Sequence, residues 1–413
     1  MEKKLHTPEG VRDIYNSECQ KKLALQEILL HNLHLFGYQD IQTPTFEYMD
    51  VFRKEVGSIP INELYKFFDN EGNILALRPD ITPSVARAAA TLFQEEQMPS
   101  RLCYVGNTFA NYTSYQGHLK ESTQLGAELI GDNSIEADAE MIAMMVEGLL
   151  KTGLTEFQVN VGHVDFIKSL LNGTKLEEEQ LNEIRSLLGN KNYFGIEDIL
   201  EQHQVSNRVI AAFRALPDLN GGYEILGKAA ELSLDNDAKL AVIRLLKIYS
   251  LLTQYGVEKY IHFDLSTSGR YGYYSGIVFR AYTYGIGDAV ARGGRYDQML
   301  GIFGKHTPSI GFAIIVDNLL HALDRQKIEI AIRETNLIVY YEENKQQAIV
   351  LAQDFRKKGK CVELLKREPD ELLETFVEYG KRSNVASTLL LEKDGTMKML
   401  DPDTGEEHVI GEK

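Results

Sequence analysis

A stretch of almost wholly helical pattern, from about residue 165 to residue 254, constrains the fold of this chain most. Leucine, isoleucine and valine recur in it at helical spacing, most regularly over 237–252. Short runs of β type flank it on both sides, at 101–109 and 122–130 before it and at 260–265 and 276–282 after it. We therefore expect a sheet-based core that carries an inserted helical subdomain.

Three further helices are predicted in the first 150 residues. Apolar spacing indicates one over 15–37, and another begins near Thr82, which can cap it while Pro83 suits the first helical position. The third covers 135–150. Its three methionines are expected in the core rather than at a cofactor site: Met141, Met144 and Met145.

Strand and helix patterns alternate in the last part of the chain. The predicted order is a strand at 337–341, a helix at 345–359, a strand at 361–365 and a helix at 369–382. Such alternation is typical of βαβ units. The sequence therefore predicts a small α/β domain over 337–413.

Composition excludes several classes of protein. With 44% hydrophobic and 25% charged residues in 413, the chain is not disordered, and it has no run of about 18 apolar residues to span a membrane. A net charge of −16 disfavours nucleic-acid binding, which draws on Lys and Arg. The sequence shows no signal-peptide pattern, and its cysteines do not have the spacing of metal ligands: Cys19, Cys103 and Cys361. We expect a cytoplasmic protein without a metal ion or cofactor.

Pattern alone gives only ambiguous site candidates, because no phosphate loop, zinc motif or nucleophile elbow is present. The segment 293–297 is either a glycine-rich turn that lets the backbone approach a ligand or a bulge between strands. Gln124 and Glu128 share a strand face, which lies in a ligand pocket or at a solvated edge. The tyrosine-rich run 270–276 lines a pocket for a small polar ligand or packs as ordinary strand aromatics.

Several segments occur in an order typical of one family. They are 10–13, 38–52 around Thr43-Pro44 and Glu47, 77–82, 108–131, 273–276 with 292–297, and 311–313. Together they resemble the class II histidyl-tRNA synthetase family over nearly the whole chain. Segment 38–52 resembles motif 1, 108–131 occupies motif 2, 273–276 and 292–297 resemble two histidine-specific signatures, and 311–313 opens motif 3.

The resemblance implies an α+β fold with a class II synthetase-like antiparallel sheet core and helices. It implies a core domain over 1–325, with the helical insertion at about 165–254, and a reduced anticodon-binding-like α/β domain over 337–413. Motif 1 builds the dimer interface in this family, so a self-dimer is expected.

Four positions depart from the pattern of active synthetases, which hold ATP and the transition state with cations. Residues that carry no such cation stand there: Ala110, His118, Gly269 and Asn318. Each lost charged hydrogen bond costs about 1.5–3 kcal/mol, so the four together cost roughly 6–12 kcal/mol, on the order of 10⁴-fold in rate or more. We therefore expect no catalytic residues and no tRNA charging.

The positions that would recognise histidine are retained. They are Asp80 (a shortened Glu), Thr82, Gln124, Glu128, Tyr273 and Tyr274. A carboxylate accepts hydrogen bonds from an ammonium or an imidazole N–H. The resemblance therefore implies a histidine-sized binding site without ATP chemistry.

A synthetase scaffold with this combination is similar to the regulatory subunits of ATP phosphoribosyltransferase, a paralogous family. That resemblance implies a partnership with the short-form catalytic subunit in a hetero-octamer, at the first step of histidine biosynthesis, with feedback inhibition by histidine. The acidic residues of the last predicted helix favour a structural or partner-binding C-terminal domain over an RNA-binding one.

Two other functions remain open from the sequence. A divergent but active histidine–tRNA ligase would require histidine-dependent ATP–pyrophosphate exchange, against Ala110 and Asn318. A histidine- or tRNA-sensing module acting on an unrelated enzyme would be identified by a pull-down of its partner protein.

Overall fold

The computed structural model describes residues 6–52, 59–93, 98–112, 119–266, 273–401 and 406–410. The chain divides into two compact units. The first comprises Met1–Arg12 and Leu25–Glu329, and the second comprises Asp13–Ala24 and Ile330–Lys413.

Up to the helical insertion the elements are α1 (Asn16–Leu35), β1 (Gln39–Asp40), β2 (Phe46–Tyr48), β3 (Lys66–Phe68), β4 (Ile74–Leu77), α2 (Thr82–Leu92), β5 (Ser100–Phe109), β6 (Glu121–Ile130), α3 (Ile135–Lys151) and β7 (Phe157–His163). The insertion contains α4 (Val164–Thr174), α5 (Glu178–Gly189), α6 (Tyr193–Gln202), α7 (Asn207–Arg214), β8 (Asn220–Gly221), α8 (Ile225–Leu232) and α9 (Asn236–Gln254).

The first unit continues with β9 (Ile261–Asp264), β10 (Ile277–Thr283), β11 (Ala291–Arg295), α10 (Met299–Ile302), β12 (Ser309–Ile315) and α11 (Val316–Arg325). The second unit contains β13 (Thr335–Tyr340), α12 (Lys345–Lys357), β14 (Cys361–Lys366), α13 (Leu373–Arg382), β15 (Val385–Leu391), β16 (Met397–Leu400) and β17 (Glu407–Val409). Short 3₁₀ helices lie at Met49–Phe52, Ile61–Glu63, Leu216–Asp218, Glu258–Tyr260 and Glu342–Asn344.

A nine-stranded sheet forms the centre of the first unit in the described residues, in the order β1-β5-β6-β12-β11-β10-β7-β9-β8. The strands from β5 to β7 in this order pair antiparallel. The predicted antiparallel α+β core is thereby confirmed. A separate three-stranded sheet has the order β2-β4-β3.

Helix α3 is held in the core of this unit. Its methionines Met141, Met144 and Met145 are fully buried, as predicted. The helix begins where Ser134 accepts a hydrogen bond from the backbone N–H of Ala137, the usual N-cap contact. No helix in the described part of the chain is long and apolar enough to cross a membrane.

Two local predictions are wrong. Thr82 does not cap α2: Ile81 occupies the N-cap, and the Thr82 hydroxyl instead donates a hydrogen bond to Glu128. The glycines Gly293 and Gly294 form no turn or bulge but lie inside β11. A Cβ at Gly294 would lie 2.7 Å from the Tyr274 ring, so close packing against that ring requires glycine there.

The second unit is the predicted βαβ arrangement. Strand β13 pairs parallel with both β14 and β15, while β16 and β17 extend the sheet antiparallel. Separate apolar clusters pack α12 and α13 against this sheet. The predicted helix over 369–382 is shorter than expected, because α13 begins at Leu373.

Candidate functional site

Glu128 lies at the centre of the candidate site. Its strand, β6, runs between β5 and β12 inside the large sheet, and the side chain has no exposed surface. On β12 the residue opposite is Gly311, where a Cβ would lie 1.5 Å from Glu128 Oε2. The solvated-edge alternative is therefore wrong for Glu128, because the neighbouring strand is built to admit its carboxyl group.

Three hydroxyl groups surround this carboxyl group. Thr82 Oγ1 donates to Oε1 at 2.7 Å, Tyr104 Oη donates to Oε1 at 3.2 Å, and Tyr296 Oη donates to Oε2 at 2.5 Å. They come from α2, β5 and the residue after β11, so the carboxyl group joins three distant segments of the chain. Such a buried, satisfied network holds its members in one arrangement.

Burial raises the pKa of the Glu128 carboxyl to about 8. Hydrogen bonds from Tyr296 and Thr82 act against this rise, and the nearby charge of Asp80 adds to it. The same burial raises the pKa of the Tyr104 and Tyr296 hydroxyls, so both stay protonated as donors. Glu128 therefore titrates near neutral pH, and a cation bound beside it would favour the ionised form.

Asp80 and Gln124 lie where the start of α2 meets β6. Asp80 Oδ1 accepts from the backbone N–H of Thr82 at 3.4 Å, and Gln124 Oε1 accepts from that of Ile81 at 3.4 Å. Gln124 and Glu128 thus face the same helix, as strand alternation predicts. The loop before α2 is fixed by Arg78, whose guanidinium donates to the carbonyl oxygens of Thr43 and Asn107.

Tyr273 and Tyr274 complete the same cluster. Their rings lie 4.7 Å apart, and Tyr273 meets the Tyr296 ring edge-on at 6.4 Å. Both share an apolar cluster with Ile81 and Tyr104. Asp80, Thr82, Tyr273 and Tyr274 keep 7 to 9% exposure, which gives the cluster a narrow accessible side.

The structure thus brings all six sequence-predicted residues into one neighbourhood. Sequence reasoning missed Tyr104 and Tyr296, which donate directly to the central carboxyl group. Tyr296 belongs to the segment 292–297, which resembles a histidine-specific signature, but the sequence pattern assigns no role to its side chain. Tyr104 lies opposite Gly126 on β6, where glycine leaves room for its ring, but this register could not be derived from the sequence.

The positions that depart from active synthetases carry other contacts. Ala110 is buried and offers no charge, and Asn318 donates through Nδ2 to the Ala289 carbonyl oxygen at 3.0 Å. Beside it, Asp317 Oδ2 accepts from the backbone N–H of Thr123 at 2.6 Å. His118 and Gly269 lie outside the described residues. At the two described positions, the side chains carry no charge.

The described side chains of this cluster can bind a small polar ligand. They offer carboxyl groups, hydroxyl groups and aromatic faces, which recognise a small polar cation or imidazole.

The match to a known family covers most of the chain. The histidyl-tRNA synthetase family matches residues 10–319. A histidyl-tRNA synthetase structure from Nostoc sp. PCC 7120 superposes with a TM-score of 0.81, covering 98% of this chain and 96% of that one, at 18% identity, which shows the fold alone. The chain is thus a class II histidyl-tRNA synthetase-like protein.

The more similar relatives are regulatory subunits. A protein of Acetivibrio thermocellus named ATP phosphoribosyltransferase regulatory subunit is 36% identical over 404 residues, covering 98% of this chain and 96% of that protein. A Bacillus halodurans crystal structure described as an ATP phosphoribosyltransferase regulatory subunit/histidyl-tRNA synthetase has a TM-score of 0.83 and 31% identity, covering 93% of this chain and 97% of that one. The chain belongs to the family of ATP phosphoribosyltransferase regulatory subunits. The resemblance drawn from the motifs is confirmed, and the divergent-ligase alternative is not favoured.

Proposed function

We propose that this chain is a non-catalytic regulatory subunit of ATP phosphoribosyltransferase that binds histidine at the Glu128 site. The observation that carries the proposal is a contrast between two sets of residues in the same fold, those around Glu128 and those at the positions of the synthetase cations. The carboxyl–hydroxyl–tyrosine cluster around Glu128 is intact, whereas Ala110 and Asn318 supply no cation for phosphate. A protein of this kind senses histidine without activating it, as feedback control of histidine biosynthesis requires.

The effector would meet the site at its accessible side. Asp80 and Gln124 offer acceptor oxygens there, and the Tyr273 and Tyr274 rings offer faces for an imidazole or ammonium group. Glu128, below them, would supply the charge that selects a cation over an apolar amino acid. Its raised pKa supports a coupling in which histidine binding releases a proton from Glu128.

A self-dimer is part of the proposal. The three-stranded sheet of the motif 1-like region exposes Phe46, Tyr48 and Phe67 at 50%, 58% and 38%. Phe46 and Phe67 meet edge-on with ring centroids 5.6 Å apart, which makes a continuous aromatic surface. Exposed apolar patches of this kind mark protein interfaces, and a second copy is the occupant that the family resemblance implies.

The catalytic partner is the short-form ATP phosphoribosyltransferase subunit, assembled with this dimer in a hetero-octamer in the cytoplasm. Free cysteines at Cys19, Cys103 and Cys361 support a reducing compartment. A role for the second unit in partner binding rather than RNA binding is supported by a relative named as a regulatory subunit that matches 98% of this chain.

Two measurements on the purified full chain test this proposal. We expect no histidine-dependent ATP–pyrophosphate exchange above background, and co-elution with the short-form catalytic subunit on size exclusion. Exchange at an enzyme-like rate would contradict the non-catalytic role. Failure to co-elute would favour a sensing module with another partner.

A further inference from the structure

One group of three potential metal ligands occurs in the described part of the chain, on the face of the large sheet opposite the Glu128 side chain, where Cys103 precedes Tyr104 and pairs with Ala127. It consists of His34, Asp40 and Cys103, whose ligand atoms all lie within 4.8 Å of one another. The positions of these three residues along the sequence predict no metal site, because the residues belong to separate elements. Only the fold brings them together.

The end of α1 determines where His34 lies. Gly37, at φ +81°, closes the helix: its N–H donates to the His34 carbonyl oxygen and the N–H of Tyr38 donates to that of Leu33. This pair of bonds is the Schellman motif, which reverses the chain directly into β1. His34 is thereby turned back toward Asp40, six residues later.

The pairing of β1 with β5 supplies the third ligand. The two strands run parallel, with Asp40 directly opposite Cys103. Their side chains lie on the same face, and Cys103 Sγ is 3.5 Å from Asp40 Oδ1. Both positions are set by backbone register and not by flexible loops, so the arrangement is preorganised.

Two of the three ligand separations are close to those of a tetrahedral zinc site, and the third, between His34 and Cys103, lies within 4.8 Å. His34 Nε2 lies 3.1 Å from each Asp40 carboxylate oxygen. Zinc bond lengths of about 2.0 Å to N or O and 2.3 Å to S place neighbouring ligand atoms roughly 3.3–3.6 Å apart. A soft thiolate with an imidazole favours Zn²⁺ over Mg²⁺ or Ca²⁺.

We propose that His34, Asp40 and Cys103 bind one zinc ion per chain. The Asp40 and His34 side chains are 64% and 41% exposed, so an ion can enter from solvent, and a water molecule can take the fourth position. Cys103 is fully buried and forms the floor of the site. A bound ion would link the end of α1 to the β1–β5 edge of the sheet, and would stabilise the folded chain by mass action.

Zinc titration of the full-length, chelator-treated protein tests this. We expect one zinc per chain by elemental analysis, a zinc-dependent rise in melting temperature, and a thiolate-to-metal absorption band when Co²⁺ is used instead. His34→Gln and Asp40→Asn alter surface side chains and leave the core intact. Each should weaken zinc binding at least about tenfold in competition with a chromogenic chelator, since even outer-shell changes cost 10–100-fold.

Matched controls separate this site from adventitious binding. His31→Gln changes another exposed histidine of α1, and Cys361→Ser removes the exposed cysteine of the second unit. Both should bind zinc like the parent protein. Less than half a zinc per chain, a bound Co²⁺ without the thiolate band, or unchanged affinity in both His34→Gln and Asp40→Asn would overturn the proposal.

Discussion

Replacing Glu128 with alanine should weaken histidine binding at least about 30-fold. The carboxyl group is fully buried and would become a negative charge beside a cationic ligand. Removing one partner of a buried, charge-assisted contact costs about 2–5 kcal/mol. The lower limit of about 2 kcal/mol corresponds to a roughly 30-fold change in Kd.

The same substitution also destabilises the fold, and the two effects must be separated. It leaves the hydroxyls of Thr82, Tyr104 and Tyr296 without their acceptor, and each unsatisfied buried group costs about 1–3 kcal/mol. Glu128→Gln keeps the size and an acceptor oxygen but carries no charge. We expect Glu128→Gln to retain most of the stability while losing most of the histidine affinity.

Asp138→Asn provides a matched control. It weakens the buried ion pairs of Asp138 with Arg244 and Arg295 and so lowers stability, while the Glu128 carboxyl group and its three hydroxyl donors all keep their side chains. Histidine titration by calorimetry, paired with a thermal melt of each variant, gives both quantities. Dimerisation and activation of the catalytic subunit should survive in Glu128→Ala. Unchanged histidine affinity in a folded Glu128→Ala protein would refute the site.

Three further outcomes are expected. The pKa of Glu128 is about 8 in the folded state and 4.5 in its usual state, so the folded protein holds the Glu128 proton more tightly than the unfolded chain does. The stabilisation from this bound proton is complete below pH 4.5. Between pH 4.5 and pH 8 its loss lowers the unfolding free energy by up to about 1.4 kcal/mol for each pH unit of increase. Urea unfolding from pH 5 to 9 should show this slope in the parent protein and a flatter one in Glu128→Gln, and equal slopes would count against a buried titrating carboxyl. Asp138→Asn should lower the unfolding free energy by about 3–5 kcal/mol, because Arg295 and Arg244 lose a buried ionic partner at 2.6 Å. A urea midpoint equal to that of the parent protein would contradict this expectation. Phe46→Asp should convert the dimer to monomer in sedimentation at micromolar concentration, whereas an unaffected dimer would place the interface elsewhere.

Long periodic segments made much of the fold predictable. The helix expected over 15–37 is found at Asn16–Leu35, and the strand expected over 101–109 is found at Ser100–Phe109. Buried faces repeat over several turns in such segments, so one misplaced residue does not change the pattern. The antiparallel core followed from the motif resemblance, because strand order depends on long-range pairing.

The failures lie where tertiary contacts override local preference. Thr82 has the chemistry of an N-cap, yet its hydroxyl is drawn to Glu128, 46 residues away. Gly293 and Gly294 have turn composition, yet they are required inside β11 by the aromatic rings packed over them. A local sequence pattern contains no information about a partner that is so distant in sequence.

The candidate site was predictable in membership but not in internal arrangement. Motif order identified Glu128 and Tyr273, but burial of Glu128 beneath Tyr104 and Tyr296 depends on the register of three strands and on Gly311. The group of His34, Asp40 and Cys103 escaped the sequence for the same reason, since parallel pairing of β1 with β5 has no local signature.

We propose that this chain activates a separate catalytic subunit and transmits the histidine signal to it without catalysis of its own. The most direct measurement is the ATP phosphoribosyltransferase activity of the short-form catalytic subunit, titrated with this chain in the presence and absence of histidine. We expect activity to rise to a plateau with added chain and histidine to suppress it, with Glu128→Gln raising the activity but resisting suppression. Activity that does not depend on this chain would contradict the account.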